Sequence, residues 1–309
     1  MRVTASNPRR LSRLASTCTL ALAAACASGG GAAGGQVLSA PRASFASAPK
    51  SDWIQLFNGR DLTGWDVKFK GHPMGDNFND TFRVEDGLLR VRYDKYTGWN
   101  GEWGHIFAKP AFKYFLVAAE YRFVDNQVVG APPGIAWAIR NNGIMIGQSA
   151  ESMGLDQDYP ISLEVQLLGG LGKGKRTTAN LCTPGTNVHI DGKLYTPHCT
   201  NSTSQTYDGD QWVRVEALVL GDTLIKHIAN GDTVFAYSKP EMGGGSANNT
   251  KPGVFVPGTW FPELHISLQA ESAPTDFRKV EVLNLEGCMN PSSKSYKPYF
   301  VHHDPSACK

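Results

Sequence analysis

Between Trp53 and Leu285 the sequence is a succession of short alternating or apolar segments broken by tight-turn dipeptides, and a helical period is almost nowhere seen. Asn58-Gly59, Asp86-Gly87, Gly221-Asp222 and Asn230-Gly231 supply the turns, since Gly and Asn accept the positive φ that a short hairpin needs. The run FRVEDGLLRVRY sets Asp86-Gly87 between two alternating halves, and Val213, Val215, Ala217 and Val219 alternate with Arg214, Glu216 and Leu218. Such a chain is expected to be all-β, an antiparallel β-sandwich or jelly roll. No internal repeat is seen, and 309 residues are within the reach of one large β domain.

Lys and Arg number 30 against 28 Asp and Glu, with no basic run that would track phosphates, so no nucleic acid partner is expected. No apolar stretch has membrane-spanning length. The N-terminus differs in kind. Arg9, Arg10 and Arg13 precede an apolar run ending in small residues at Cys26, which is the pattern of an export signal over residues 1–26. LAAAC, Leu22 to Cys26, resembles a relaxed bacterial lipobox. It would make Cys26 the lipidated first residue of a periplasmic or outer-membrane lipoprotein held to the membrane by its anchor; ordinary signal cleavage nearby is the alternative. Residues 27–51 are mostly Gly, Ala and Ser, a flexible linker, followed by a folded domain over 52–288 and a polar tail over 289–309. Cys182, Cys199, Cys288 and Cys308 lie beyond the leader, and an exported chain is expected to pair them. Each of the pairs Cys182–Cys199 and Cys288–Cys308 brackets a turn-rich stretch, which favours that connectivity; zinc ligation is the rival, without a CxxC to support it.

The polar strand faces are where chemistry can sit. In YPISLEVQLLGG, Ile161, Leu163, Val165 and Leu167 take one face and leave Ser162, Glu164 and Gln166 on the other. In LHISLQAES the inward set is Leu264, Ile266, Leu268 and Ala270, so His265, Ser267, Gln269 and Glu271 share the opposite face. Two strands distant in sequence thus each carry Glu and Gln two places apart, and in one curved sheet Glu164 and Glu271 could reach one ligand. A solvated outer face is the plain alternative. GIAWAIRNNG reads as a strand with Ala136 and Ala138 beside Arg140, leaving room around a guanidinium. Among the tryptophans, Trp99 and Trp103 in the Gly-rich YTGWNGEWGH are the candidates for a sugar-binding rim, whereas Trp137 and Trp212 are expected in the core. His105 and His265 are individually weak signals.

WIQLFNGRDLTGW, FRVEDGLLRV, ISLEVQLLGG and ISLQAESAPTDFRKVEVLNL resemble, in order and spacing, the 3-keto-disaccharide hydrolase domain family over about Trp53 to Leu285, and two further stretches are similar to its larger exported branch. The resemblance implies a concanavalin A-like jelly-roll sandwich and, for some members, cleavage of glycosides whose glucose C3 hydroxyl is already oxidised to a ketone. A C3 ketone acidifies the C2 proton, so that a base can remove it and the C1 aglycone can leave by β-elimination, with water adding afterwards. The expected roles are Glu164 or Glu271 as base or metal-binding carboxylate, Arg140 or His105 as stabiliser of the oxyanion, and Gln166, Gln269, His265, Trp99 and Trp103 as substrate contacts. No nicotinamide is needed for this step and no G-x-G-x-x-G sits in a βαβ setting; a divalent ion is conceivable, with no spacing that identifies its ligands. A retaining glycosidase and a non-catalytic carbohydrate-binding lipoprotein are the two alternative readings.

Overall fold

Alternation and turn chemistry produce two large antiparallel sheets facing one another. The computed structural model describes Phe45, residues 47–124 and residues 136–309, so the export signal and Cys26 lie outside the described residues. The larger sheet contains β1 (Trp53–Gln55), β3 (Phe82–Glu85), β4 (Leu88–Val91), β6 (Tyr114–Phe123), β10 (Thr186–Ile190), β11 (Lys193–Tyr195), β13 (Val213–Leu220), β14 (Leu224–Ala229), β15 (Asp232–Met242) and β17 (Thr275–Asn284). The smaller sheet runs β12 (Cys199–Thr200), β9 (Asn180–Cys182), β8 (Ser162–Leu168), β7 (Asn141–Gly147), β16 (Leu264–Ala270), β5 (Gly104–Phe112) and β2 (Trp65–Phe69). Strands far apart in sequence are neighbours, and every pairing within the two sheets is antiparallel, which makes this the expected jelly-roll sandwich.

The apolar halves of the alternating strands meet in the middle. Leu163, Val165 and Leu167 of β8 and Ile266 and Leu268 of β16 pack with Val213, Val215, Ala217 and Val219 of β13 and Val280 and Val282 of β17 in one core. Burying a Leu or Val side chain stabilises the fold by about 1.5–3 kcal/mol, so the register that turns these residues inward also fixes which polar residues face out. Glu164, Gln166 and Gln269 are therefore held on the far side of the smaller sheet by the burial of their neighbours.

A second apolar cluster covers the outside of the larger sheet. Leu116, Leu218, Leu220, Leu283 and Leu285 pack there with Tyr299 of the C-terminal tail and with Phe45. The tail adds β18 (Glu286–Gly287) and β19 (His302–His303) and is closed by the Cys288–Cys308 disulfide. Phe45 falls within the stretch expected to be a linker, so packing begins before Asp52. Its large apolar ring, among residues otherwise too small to bury much, accounts for this.

Candidate active site

The strand register assembles the site on the outer face of the smaller sheet. Glu164 of β8 stands opposite Met145 of β7 on one side and Cys182 of β9 on the other, and Cys182 stands opposite Cys199 of β12, to which it is disulfide-bonded. In the adjoining row Lys68, His105 and Gln269 are paired across β2, β5 and β16, while Gly143 faces Gln166, which faces Asn180. Gly143 leaves a gap in that row, and the Glu164 side chain lies over it: a β-carbon at 143 would come within 2.7 Å of Glu164 Oε1.

Glu271, immediately after β16, reaches the same place. Tyr159 Oη donates to its Oε1 at 2.8 Å and Asn141 Nδ2 donates to its Oε2 at 2.7 Å. Tyr159 is itself held by the loop before β8, where the buried Gln157 amide donates to the Tyr159 carbonyl at 2.8 Å and to Gln148 Oε1 at 2.7 Å. Glu164 and Glu271 both line one cavity of about 450 Å³, together with Trp137, Asn141, Tyr159, Gln166, Pro184, His198, Ser246 and the Cys182–Cys199 disulfide. Such a volume is in the range of small-molecule sites.

Burial sets the charge state of the pair. Glu271 is raised to about 8 by loss of solvation, against which the Tyr159 hydrogen bond pulls downward. Glu164 is raised well above the ordinary carboxylate range by burial first and then by the negative charge of Glu271. Both Glu271 oxygens accept a donor, whereas Glu164 Oε1 is buried without one. Hydrogen bonds to the ionised form favour ionisation, so Glu271 ionises first and Glu164 keeps its proton. Tyr159, buried and beside that charge, is held far above the usual phenol range and remains a donor.

A family model, the 3-keto-alpha-glucoside-1,2-lyase-like domain, matches residues 52–283. The chain belongs to this family. No curated protein matches it. Among solved structures, a putative glycosyl hydrolase from Parabacteroides distasonis is 14% identical, with 75% of this chain and 99% of that one covered and a TM-score of 0.44. The kappa-carrageenase from Pseudoalteromonas carrageenovora is 12% identical, with 74% and 94% covered and a TM-score of 0.40. The Emp46p carbohydrate recognition domain is 14% identical, with 74% and 94% covered and a TM-score of 0.38.

Within this family member, the residues singled out from the sequence separate into three groups. Glu164, Glu271 and Gln166 share the cavity, and Gln166 Oε1 accepts from Asn180 Nδ2 at 3.0 Å. His105 and Gln269 lie fully buried outside its lining, and His105 packs edge-on to the Tyr159 ring at 6.0 Å. Burial and then the Lys68 ammonium push His105 down to about 3, so the imidazole is neutral. Arg140, His265 and Trp99 are elsewhere.

Each displacement has a physical reason. Ala136–Ala138 form a short 3₁₀ turn and Arg140 has φ of +47°, so the strand expected there starts only at Asn141. The Arg140 guanidinium instead grips Asp210 at 3.0 Å and the Gly209 carbonyl. His265 lies near the start of β16, at the opposite end of the strand from Glu271, and lines a separate hollow with Asp66 and Lys109. Trp99, expected on a rim, is 3% exposed within the core, and Trp137, expected in the core, is 50% exposed at the cavity. Trp103 is partly buried behind it, stacked on Trp137 at 6.0 Å and tilted against Tyr159 at 5.5 Å. Trp212 is half-buried just before β13, with the Arg122 and Arg278 guanidinium groups over its ring at 4.7 and 4.6 Å.

Asn141, Tyr159, Trp137 and His198 are site residues that sequence reasoning did not find. None carries a strand-period signal, and Asn141 precedes an Asn142-Gly143 pair that mimics a turn. For a divalent ion, the two carboxylates would be the main donors; among the described residues, no group of three or more His, Cys, Asp and Glu converges on one point. A cavity of about 480 Å³ on the outside of the larger sheet differs in character. Its Arg214 is already engaged by Glu216 at 2.8 Å and Glu281 at 2.9 Å, and it carries no carboxyl pair competing for one proton.

Proposed function

We propose that this protein cleaves 3-keto-glucosides by β-elimination, with Glu271 as the base at C2 and Glu164 as the proton-bearing group at the C3 oxygen. The observation that carries this reading is the asymmetry of the pair: Glu271 accepts hydrogen bonds from Tyr159 and Asn141, and Glu164 has a buried oxygen without a donor. An enolisation needs one carboxylate to take a proton and one acid to donate a hydrogen bond to the oxygen where charge develops. Glu271 takes the C2 proton, the electron pair moves into a C2–C3 double bond, and the C3 oxygen gains charge against the Glu164 proton. Collapse of the enolate re-forms the carbonyl and breaks the bond from C1 to the aglycone oxygen, leaving a 1,2-unsaturated 3-keto sugar. Addition of water across that double bond gives net hydrolysis. Gln166 and the exposed face of Trp137 are suited to a hydroxyl and to the apolar side of a ring.

Incubation with a 3-keto-glucoside and with its unoxidised parent tests the reading. Aglycone release from the ketone alone is expected. Release from the parent sugar would point to a retaining glycosidase using the same two carboxyls, and binding without release from either would point to a carbohydrate-binding protein.

The two disulfides suit an oxidising compartment outside the cytoplasm. We infer further that Cys26 carries a lipid anchor. A Cys26→Ser chain should then fractionate with soluble rather than membrane material, and unchanged membrane fractionation would refute the anchor.

A further inference from the structure

We propose that His198 is a third proton-transfer residue of this site, acting at the anomeric carbon, where it protonates the departing aglycone and then deprotonates the water that adds in its place. The assignment rests on the elimination reading above and deepens it.

The reaction has three places where a proton must be handled: C2, the C3 oxygen and the C1 oxygen. Glu271 and Glu164 account for the first two, and both are almost wholly buried. The aglycone has to leave toward solvent, so the group serving C1 belongs on the open side of the cavity. His198 lines the cavity and is itself exposed. Tyr159, another titratable residue of that lining, has its proton committed to Glu271.

Although exposed, His198 is firmly mounted. Its carbonyl accepts from Thr183 N at 2.8 Å and from Thr183 Oγ1 at 3.2 Å. The next residue, Cys199, is disulfide-bonded to Cys182, which stands directly opposite Glu164 in the strand register. The imidazole is held by a hydrogen bond to the Thr183 backbone, which leaves its other ring nitrogen for a ligand. Partial burial moves it below the ordinary histidine value against the pull of that hydrogen bond, which makes the imidazolium a stronger acid toward the aglycone oxygen.

The steps balance. As Glu271 takes the C2 proton and the C1–oxygen bond breaks, the imidazolium gives its proton to the aglycone oxygen and becomes neutral. Water then adds to C1, its proton passing to the imidazole, while Glu271 returns a proton to C2. The enzyme is restored and one water is consumed for each bond cleaved.

The test compares 3-keto-glucosides carrying a methyl and a 4-nitrophenyl aglycone with the full chain, His198→Ala and His198→Gln. Nitrophenolate leaves without a proton and methanol does not. Methanol release is expected to fall about 100-fold in both variants, in the range of general acid–base catalysis, while nitrophenol release stays within a few-fold of wild type. The unsaturated sugar is expected to accumulate in the nitrophenyl reaction, where NMR reads it directly. Equal losses with both aglycones would mean a structural role, and no loss with either would mean no role; each overturns the proposal. If the wild-type protein cleaves neither ketone, the elimination reading itself falls and this assignment with it.

Discussion

The carboxyl group of Glu164 occupies the space that a side chain at position 143 would fill, with Oε1 2.7 Å and Cγ 2.8 Å from where the Gly143 β-carbon would stand. Gly143 lies inside β7, and its backbone is not in the left-handed region, so alanine is conformationally acceptable there. Gly143→Ala should therefore act through Glu164. We expect at least a 100-fold loss of turnover, on the order of one lost acid–base group. The overpacking should cost no more than about 1–3 kcal/mol of stability. Kinetics alongside thermal unfolding check this, and full activity in the variant would contradict the placement of Glu164.

Tyr159→Phe removes the donor that holds Glu271 down while leaving the ring in place. Its loss should raise the Glu271 pKa, so with a 4-nitrophenyl 3-keto-glucoside, whose aglycone leaves without a proton, the limb of the pH–rate profile that rises through about 8 should move to higher pH. The rate near pH 7 should fall at least 10-fold and recover partly in alkaline buffer. A uniform loss at all pH values would argue that Tyr159 only fills space.

The carboxyl pair should also be visible in stability. Below about 4.5, the ordinary glutamate value, both the native and unfolded chains hold these protons. As pH rises from there to about 8, the unfolded chain releases them while the native state keeps them, so stability falls with pH. Glutamine mimics the protonated acid, and Glu164→Gln should therefore melt higher than wild type by a margin that grows from pH 5 to pH 8. A margin that is constant or reversed across that range would mean that Glu164 is ionised in the native protein.

Reducing the Cys182–Cys199 bridge should loosen the wall that carries His198. The bridge closes a segment with a sequence separation of 17, for which about 3 kcal/mol of stabilisation is typical. A Cys182→Ala/Cys199→Ala variant is expected to melt lower and to lose activity on a methyl glycoside more than on a nitrophenyl one. Equal activity losses would detach the bridge from the chemistry.

How much of this was legible in the sequence follows from which residues obey a period. β8 and β16 alternate strictly, so the faces of Glu164, Gln166 and Gln269 could be read from the burial of Leu163, Val165, Ile266 and Leu268. The turn dipeptides and cysteine spacing likewise gave the sandwich and both disulfides. The end of the strand at which each polar residue stands was not legible: His265 lies at the start of β16 and Glu271 just past its end, so they face different hollows. Neither was Arg140, whose positive φ ends the apparent strand before Asn141. Trp99 and Trp137 exchanged their expected places because a Gly-rich flank says nothing about whether a ring folds inward. Tyr159 enters the site from a loop fixed by Gln148 and Gln157, contacts that no local pattern encodes.

The central claim is that the C2 proton is removed and replaced, and deuterium reads this most directly. A 3-keto-glucoside is turned over in heavy water, and the released sugar is examined by NMR against a sample incubated with Glu271→Gln. The account predicts deuterium at C2 in step with aglycone release by the wild-type protein, and neither event above background with the variant. Aglycone release with the original hydrogen retained at C2, and with no slowing when deuterium replaces that hydrogen in the substrate, would contradict it.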